Sequence, residues 1–253
     1  MTEAKPAFYA RRGGRWADWS TLLHPPYTAW HLSYVCIGAA VAPRLDWTVL
    51  GATVLAFFLA VGVAAHALDE LNGRPLRTGI PDATLWVVAL AALAGAVAVG
   101  VAMLPSSGLL LVPFIVAGVV LVLGYNLELF GGRLHTDVGF AVAWGGFPAA
   151  VGFVAQAPAW GPPIVPEVVA AVVAAVIAAV AATTLSYAQR QLSTPARQLR
   201  RRVRDVTGTV TRTDGTTVAL DRTVLLAPLE GALRTLSWTV PLVAVVLLLL
   251  RVG

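Results

Sequence analysis

The chain has almost no cysteine and very little charge. Its single cysteine, Cys36, sits inside an apolar stretch, which excludes an intrachain disulfide and a cysteine-based metal site. Charged residues make up 12% of the 253 residues against 58% hydrophobic, and the mean hydropathy is +0.77. That balance is too apolar for an ordinary soluble domain and points to an integral membrane protein. Histidine is scarce as well: four residues, none at zinc-binding spacing, which argues against a histidine-rich oxidase or a metalloprotease. The opening stretch MTEAKPAFYARRGGRWADW lacks a short apolar core ending in a cleavage site, so it is expected to be a cytoplasmic tail with an interfacial piece. The net charge of +5 does not argue for nucleic acid, because the arginines gather at the ends of apolar segments.

What is present is a succession of apolar runs at roughly 27–43, 46–68, 83–104, 108–125, 138–157, 165–189 and 224–250, most near the length a helical span needs. These predict an all-α bundle of about seven transmembrane helices. Arginines precede the first run and follow the second, fourth and sixth. The opposite loops, around Arg44, at 104–108 and at 156–167, carry almost none. The positive-inside rule then places the chain in the cytoplasmic membrane with its N-terminus inside and its C-terminus outside, and accounts for Arg200 to Arg204. The expected organisation is a tail over 1–20, a membrane core over 21–199, a cytoplasmic hairpin over 200–223 and a final membrane helix over 224–253. The hairpin is read from GTVTRTDGTTVAL, which alternates about Asp214-Gly215. Glu230 and Arg234, spaced i and i+4, read either as an exposed pair or as a pair closing a polar mouth.

Candidate chemistry collects on the expected cytoplasmic side. His66, Asp69 and Glu70 stand at i, i+3 and i+4 where the second run ends, followed by Arg74 and Arg77. Carboxylates that could hold Mg²⁺ beside arginines that could hold phosphates describe a diphosphate-handling corner, with Asp69, Glu70 and His66 as the metal ligands. A second constellation has Tyr125 and Glu128 closing the fourth run, then Arg133, His135 and Asp137, the last placed to cap the fifth helix. Trp144 lies in a glycine-rich part of that helix, which permits close packing or a break beside a cavity. A third, at the end of the sixth run, holds Tyr187 and Arg190.

At these residues the chain resembles the UbiA-type superfamily of intramembrane prenyltransferases. LLHPPYTAWHLSYVCIGAAVA is similar to that family's first span, and HALDELNGRPLRTGI stands where the family has NDxxDxxxD and an RPLxxG-like turn. YNLELFGGRLHTDVGFAVAWG resembles its Tyr-Pro-x-x-Lys-Arg region and the span after it. The first motif's aspartates fall on His66, Asp69 and Gly73, and the second motif, DxxYxxxDxxxD, falls on Thr184, Tyr187, Gln191 and Pro195. Family members commonly have nine spans. The resemblance implies an enzyme that takes a prenyl diphosphate and passes the prenyl group to a small or lipid acceptor with Mg²⁺ assistance. Asp69, Glu70, Tyr125 and Tyr187 would be the catalytic residues, and Arg74, Arg77, Glu128, Arg133, Arg190 and Trp144 would hold the substrate. The alternatives are a prenyl diphosphate cyclase or lyase of the same fold, or a non-catalytic binder of an isoprenoid or quinone.

Overall fold

The structure is a computed structural model that describes residues 5–11, 13–157 and 165–252. Of the loop expected at 156–167, residues 158–164 lie outside the described residues, as does Arg12. The chain folds into helices α1 (Arg15–Leu22) and α2 (Pro25–Ala40), then α3 (Trp47–Leu71), α4 (Asp82–Ala102), α5 (Leu109–Asn126), α6 (Asp137–Ala155), α7 (Val165–Arg201) and α8 (Arg222–Leu249). Six of these, α3 to α8, are long and apolar enough to cross a membrane, which suggests a membrane protein. The first expected span became α2, a helix of 16 residues and shorter than the other six.

Side-chain caps start three of these helices. Asp46 Oδ1 accepts from the amides of Thr48 (2.8 Å) and Val49 (3.1 Å) to start α3, and Asp221 Oδ1 accepts from Val224 (2.8 Å) to start α8. For α6 the cap is Thr136, accepting from Gly139 at 2.9 Å, and not Asp137, whose carboxylate is taken by Arg190. The outer faces of α7 and α8 expose rows of valine, isoleucine and leucine, among them Val173, Val176, Ile177, Val245 and Leu249. Such faces suit hydrocarbon, where every backbone group is satisfied within its helix.

In hydrocarbon, helices gain little from burying more apolar surface and pack by close approach instead. The α2–α6 crossing shows this: a Cβ on Gly38 would collide with the carbonyl of Ala149, and one on Gly152 with the carbonyl of Val35. Trp30 and Tyr34 of α2 are fully buried beside that crossing, with Trp30 Nε1 donating to the Tyr34 hydroxyl at 2.6 Å.

The helices run alternately up and down, so the ends of α3, α5 and α7 and the starts of α2 and α8 gather at one polar end. The opposite end is tied by Gln156, which accepts from the Asp46 amide at 2.7 Å, and by Arg251, which donates to the Ala42 and Pro43 carbonyls at 3.0 and 2.8 Å. At the polar end projects the antiparallel hairpin of β1 (Gly208–Thr211) and β2 (Thr217–Leu220), with Thr211 opposite Thr217 and Gly208 opposite Leu220. Asp214 accepts from the Thr216 amide at 2.9 Å and Gly215 takes φ +82°, as the Asp-Gly signal requires. Both strands are solvent-exposed except at Leu220, which is partly buried.

Candidate functional site

Two stretches leave the regular α-helical winding, and both border the same cavity. Phe58–Ala65 in α3 and Val142–Gly146 in α6 are π-helical, a wider coil that leaves carbonyls open to side-chain donors. His66 Nδ1 reaches the Gly62 carbonyl at 3.0 Å, and His31 Nδ1 reaches the Trp144 carbonyl at 2.8 Å. A third ring, His135, bonds the Tyr125 carbonyl through Nδ1 at 3.1 Å and stacks on the Tyr125 ring at 4.5 Å. A carbonyl only accepts, so each Nδ1 carries a proton, and in the neutral form of such a ring Nε2 holds the lone pair. His24, the fourth histidine, lies against His66 with ring centroids 4.0 Å apart, and its Nε2 is buried with no hydrogen-bond partner. Burial above all, then the neighbouring His66 and Arg197, holds His24 well below its usual titration range.

All four histidines line a cavity of about 420 Å³ at the polar end. Asp69 and Asn72 from the end of α3 face it, with Tyr125 and Glu128 from the end of α5 and Trp144 from α6. From α7 come Gln189, Arg190, Arg197, Arg200 and Arg201, with Arg202 just past its end. The N-terminal segment closes one side. Arg200 and Arg201 donate to the carbonyls of Lys5 and Pro6, and Tyr9 packs on His24 and Tyr27 at 4.9 and 5.4 Å between ring centroids. Glu230 of α8, 7% exposed, forms a two-pronged ion pair with Arg200, one prong being Nη2 to Oε2 at 2.7 Å, and Arg234 stands 3.7 Å away. Glu230 therefore faces the bundle at the rim of the cavity. Val61 and Trp144 also wall a second, apolar pocket of about 90 Å³ between α3, α4, α5 and α6, lined further by Phe57, Phe114, Phe147 and Val151.

The expected site residues divide. His66, Asp69, Tyr125, Glu128, Trp144 and Arg190 line the cavity. Glu70 does not: it is fully buried under the loop that follows α3, accepting from the Leu76 amide at 2.9 Å, the Thr78 amide at 2.8 Å and the Thr78 hydroxyl at 2.9 Å. Arg74 also holds that loop, pairing with Asp82 and donating to the Ile80 carbonyl at 2.6 Å. Arg77 and Arg133 are exposed and do not line the cavity, and Tyr187 turns outward with 43% of its surface exposed. Of the second-motif positions, Thr184 bonds back to Val180 in its own helix and Gln191 donates to Asp137. Arg190 pairs with Asp137 at 2.8 Å and lies 5.2 Å over the Phe140 ring. Sequence reasoning passed over His24, His31, Gln189, Arg197 and Arg201. Their common signal is a polar residue inside or next to an apolar helical segment.

The three ligands expected for Mg²⁺ do not come together. Glu70 has its oxygens occupied, His66 offers nitrogen to a cation that prefers oxygen, and Asp69 is left alone of the set. Among the described residues no three histidine, cysteine, aspartate or glutamate groups converge. The donors present do not fit a magnesium cluster, and the cationic side of the cavity belongs to the arginines, of which Arg197 and Arg201 act most strongly on Asp69.

Compared with known proteins, the chain matches no protein-family model, no curated protein and no solved structure.

Proposed function

We propose that this protein binds an anionic, lipid-tailed substrate of the prenyl diphosphate type and transfers its prenyl group to an acceptor, the chemistry of the UbiA-type enzymes that its motifs resemble. The observation that carries the reading is the shared wall formed by Val61 and Trp144. On one side lies a cavity edged by Arg190, Arg197, Arg200, Arg201 and Arg202, and on the other an apolar pocket edged by phenylalanines. An amphiphile with a diphosphate head and an isoprenoid tail has this division of polarity. Arginine forks match phosphate oxygens, and in a site sheltered from water they stabilise the charge that builds on a leaving diphosphate. Tyr125, Trp144 and Phe140 line the cavity where an allylic carbon would sit, presenting π-faces to developing positive charge.

Titration of the purified protein with farnesyl thiodiphosphate, an unreactive analogue, tests the reading. Arg197→Gln combined with Arg201→Gln is expected to weaken binding about 100-fold or more, since two charge-assisted contacts of roughly 1.5–3 kcal/mol each are lost. Binding of neutral farnesol as tightly as the thiodiphosphate, with no effect of the arginine pair, would instead establish a non-catalytic isoprenoid or quinone carrier. That second reading is favoured by the scattered second-motif positions, with Tyr187 facing outward.

A further inference from the structure

Pro6 to Tyr9 wall the arginine-lined cavity and belong to no helix. The segment that carries them is held unequally at its two ends. Next to α1 the Arg11 amide donates to the Thr21 hydroxyl at 2.8 Å. At the far end Arg200 Nη1 donates to the Lys5 carbonyl at 3.4 Å and Arg201 Nε to the Pro6 carbonyl at 3.3 Å, both longer than the roughly 2.7–3.2 Å of a strong N–H···O bond. Between the ends, the Phe8 ring lies 5.3 Å from the Arg234 guanidinium and packs on the apolar cluster of Ala196, Leu226 and Leu233. Tyr9 lies within electrostatic reach of Arg197, Arg201 and Asp69. Glu230 pairs with both Arg200 and Arg234, so one carboxylate of α8 sets two of the guanidinium groups that grip the segment.

The donors at the far end serve two acceptors. Arg200 and Arg201 edge the cavity that takes an anionic head in the reading above, yet here they give N–H groups to neutral backbone carbonyls. A charge-assisted bond to a phosphate oxygen is roughly twice as strong as a bond to a neutral carbonyl, so the exchange of one for the other favours the anion. Arg200 already commits Nε and Nη2 to Glu230, which leaves Nη1, the nitrogen on Lys5, as its free edge. We infer that residues 5–10 form a displaceable strap: it shuts the cavity by occupying Arg200 and Arg201 through its backbone carbonyls, and it swings out from the Arg11 anchor when a diphosphate group takes those donors. The strap is an autoinhibitory contact, since ligand and segment compete for the same guanidinium groups. The inference rests on the cavity being an anion site, and the prenyl tail plays no part in it.

The test is the rate at which a water-soluble maleimide labels the full-length protein in micelles at a cysteine placed in the strap. Ala10 is 4% exposed and Ala7 6%, so Ala10→Cys, with Ala7→Cys as the second position, reacts only when the strap lifts. Cys36→Ala removes the one native thiol. Inorganic pyrophosphate is expected to speed labelling saturably, and sodium chloride at equal ionic strength is not. Arg201→Gln, which leaves the Arg200–Glu230 pair intact, is expected to speed labelling about 3- to 10-fold without any ligand, the loss of one neutral hydrogen bond, and to blunt the pyrophosphate response. Slower labelling with pyrophosphate would make the segment a lid that closes over its ligand, and overturns displacement. An unchanged rate with pyrophosphate, or an unchanged ligand-free rate in Arg201→Gln, overturns it as well. Farnesyl thiodiphosphate separates this inference from the one before it. If that analogue binds no more tightly than farnesol while pyrophosphate still speeds labelling, the prenyl diphosphate reading fails and the strap stands.

Discussion

Asp69 and Glu70 are consecutive residues of one helix, yet they serve different regions of the molecule. A helical step of one residue turns the side chain by about 100°, which sends Asp69 into the cavity and Glu70 beneath the loop at 72–81. Around Glu70 everything is protein: three donors from Leu76 and Thr78 close on its two oxygens, and Arg74 completes the corner through Ile80 and Asp82. Around Asp69 the cavity holds the histidine rings, among them His24 with its unpartnered Nε2, and arginines that face open volume. The first region is a finished hydrogen-bond network whose job is to hold a turn. The second has capacity left over, which is what a binding site needs.

The sharpest way to break this comparison is to remove Glu70. Glu70→Ala leaves two amides and a hydroxyl buried without an acceptor, and it is expected to cost about 3 kcal/mol or more, with Glu70→Gln roughly half as damaging. Thermal unfolding checks this, and a shift as small as that of a surface substitution would mean the loop does not depend on the carboxylate. Thiodiphosphate affinity measured on whatever fraction remains folded is expected to be unchanged, because Glu70 does not line the cavity.

A smaller effect is expected from acid. His24 is held below its ordinary value of 6.5, first by burial and then by His66 and Arg197. An unfolded chain would take up a proton on that ring near pH 6.5 and the folded one would not, so stability is present in full above this value and declines as pH falls below it. Unfolding temperature measured at pH 7.5 and 5.5 should therefore drop at the lower pH, and His24→Asn should remove part of the drop. A profile flat through this range in the wild type would show that His24 titrates normally and is not desolvated by its neighbours.

Much of the fold was legible because apolar runs and turn dipeptides are local signals. The segments from 46 onward became α3 to α8, and Asp214-Gly215 became the hairpin turn. The division of the site was not, for reasons that lie outside side-chain pattern. Glu70 looked like a second ligand for Asp69's cation because its true partners are backbone amides of Leu76 and Thr78, and a backbone amide leaves no mark in a sequence. His31 and His135 are anchored by carbonyls, in His31's case one within a π-helical segment, so no spacing rule finds them. Arg201 read as a topology charge, since positive charge at a helix end has the same appearance whether it faces water or a cavity. Asp137 read as a cap, and the cap went to the residue before it, Thr136.

The smallest expected effects concern Asp69, and they separate the arrangement seen here from the one the sequence first implied. If Asp69 held a cation that in turn held a diphosphate, Asp69→Asn would weaken binding of farnesyl thiodiphosphate and abolish any dependence on Mg²⁺. With the anion carried by Arg197 and Arg201, Asp69 is a like charge beside the bound phosphates. Removing it should then strengthen binding, by about 2- to 5-fold for a partly screened interaction of roughly 0.5–1 kcal/mol. The two arrangements thus differ in sign, which a titration reads more safely than a magnitude. The stability arm is equally distinct. A loop pinned by an Asp69–Arg74 pair would show coupling between Asp69→Asn and Arg74→Gln, but Arg74 is committed to Asp82 and to the carbonyls of Thr78 and Ile80. A double-mutant cycle should give a coupling energy below about 0.3–0.5 kcal/mol, the scatter expected of independent sites. Coupling clearly above that, together with weaker thiodiphosphate binding in Asp69→Asn, would assign Asp69 to the loop or to a metal and take it out of the arginine-lined cavity.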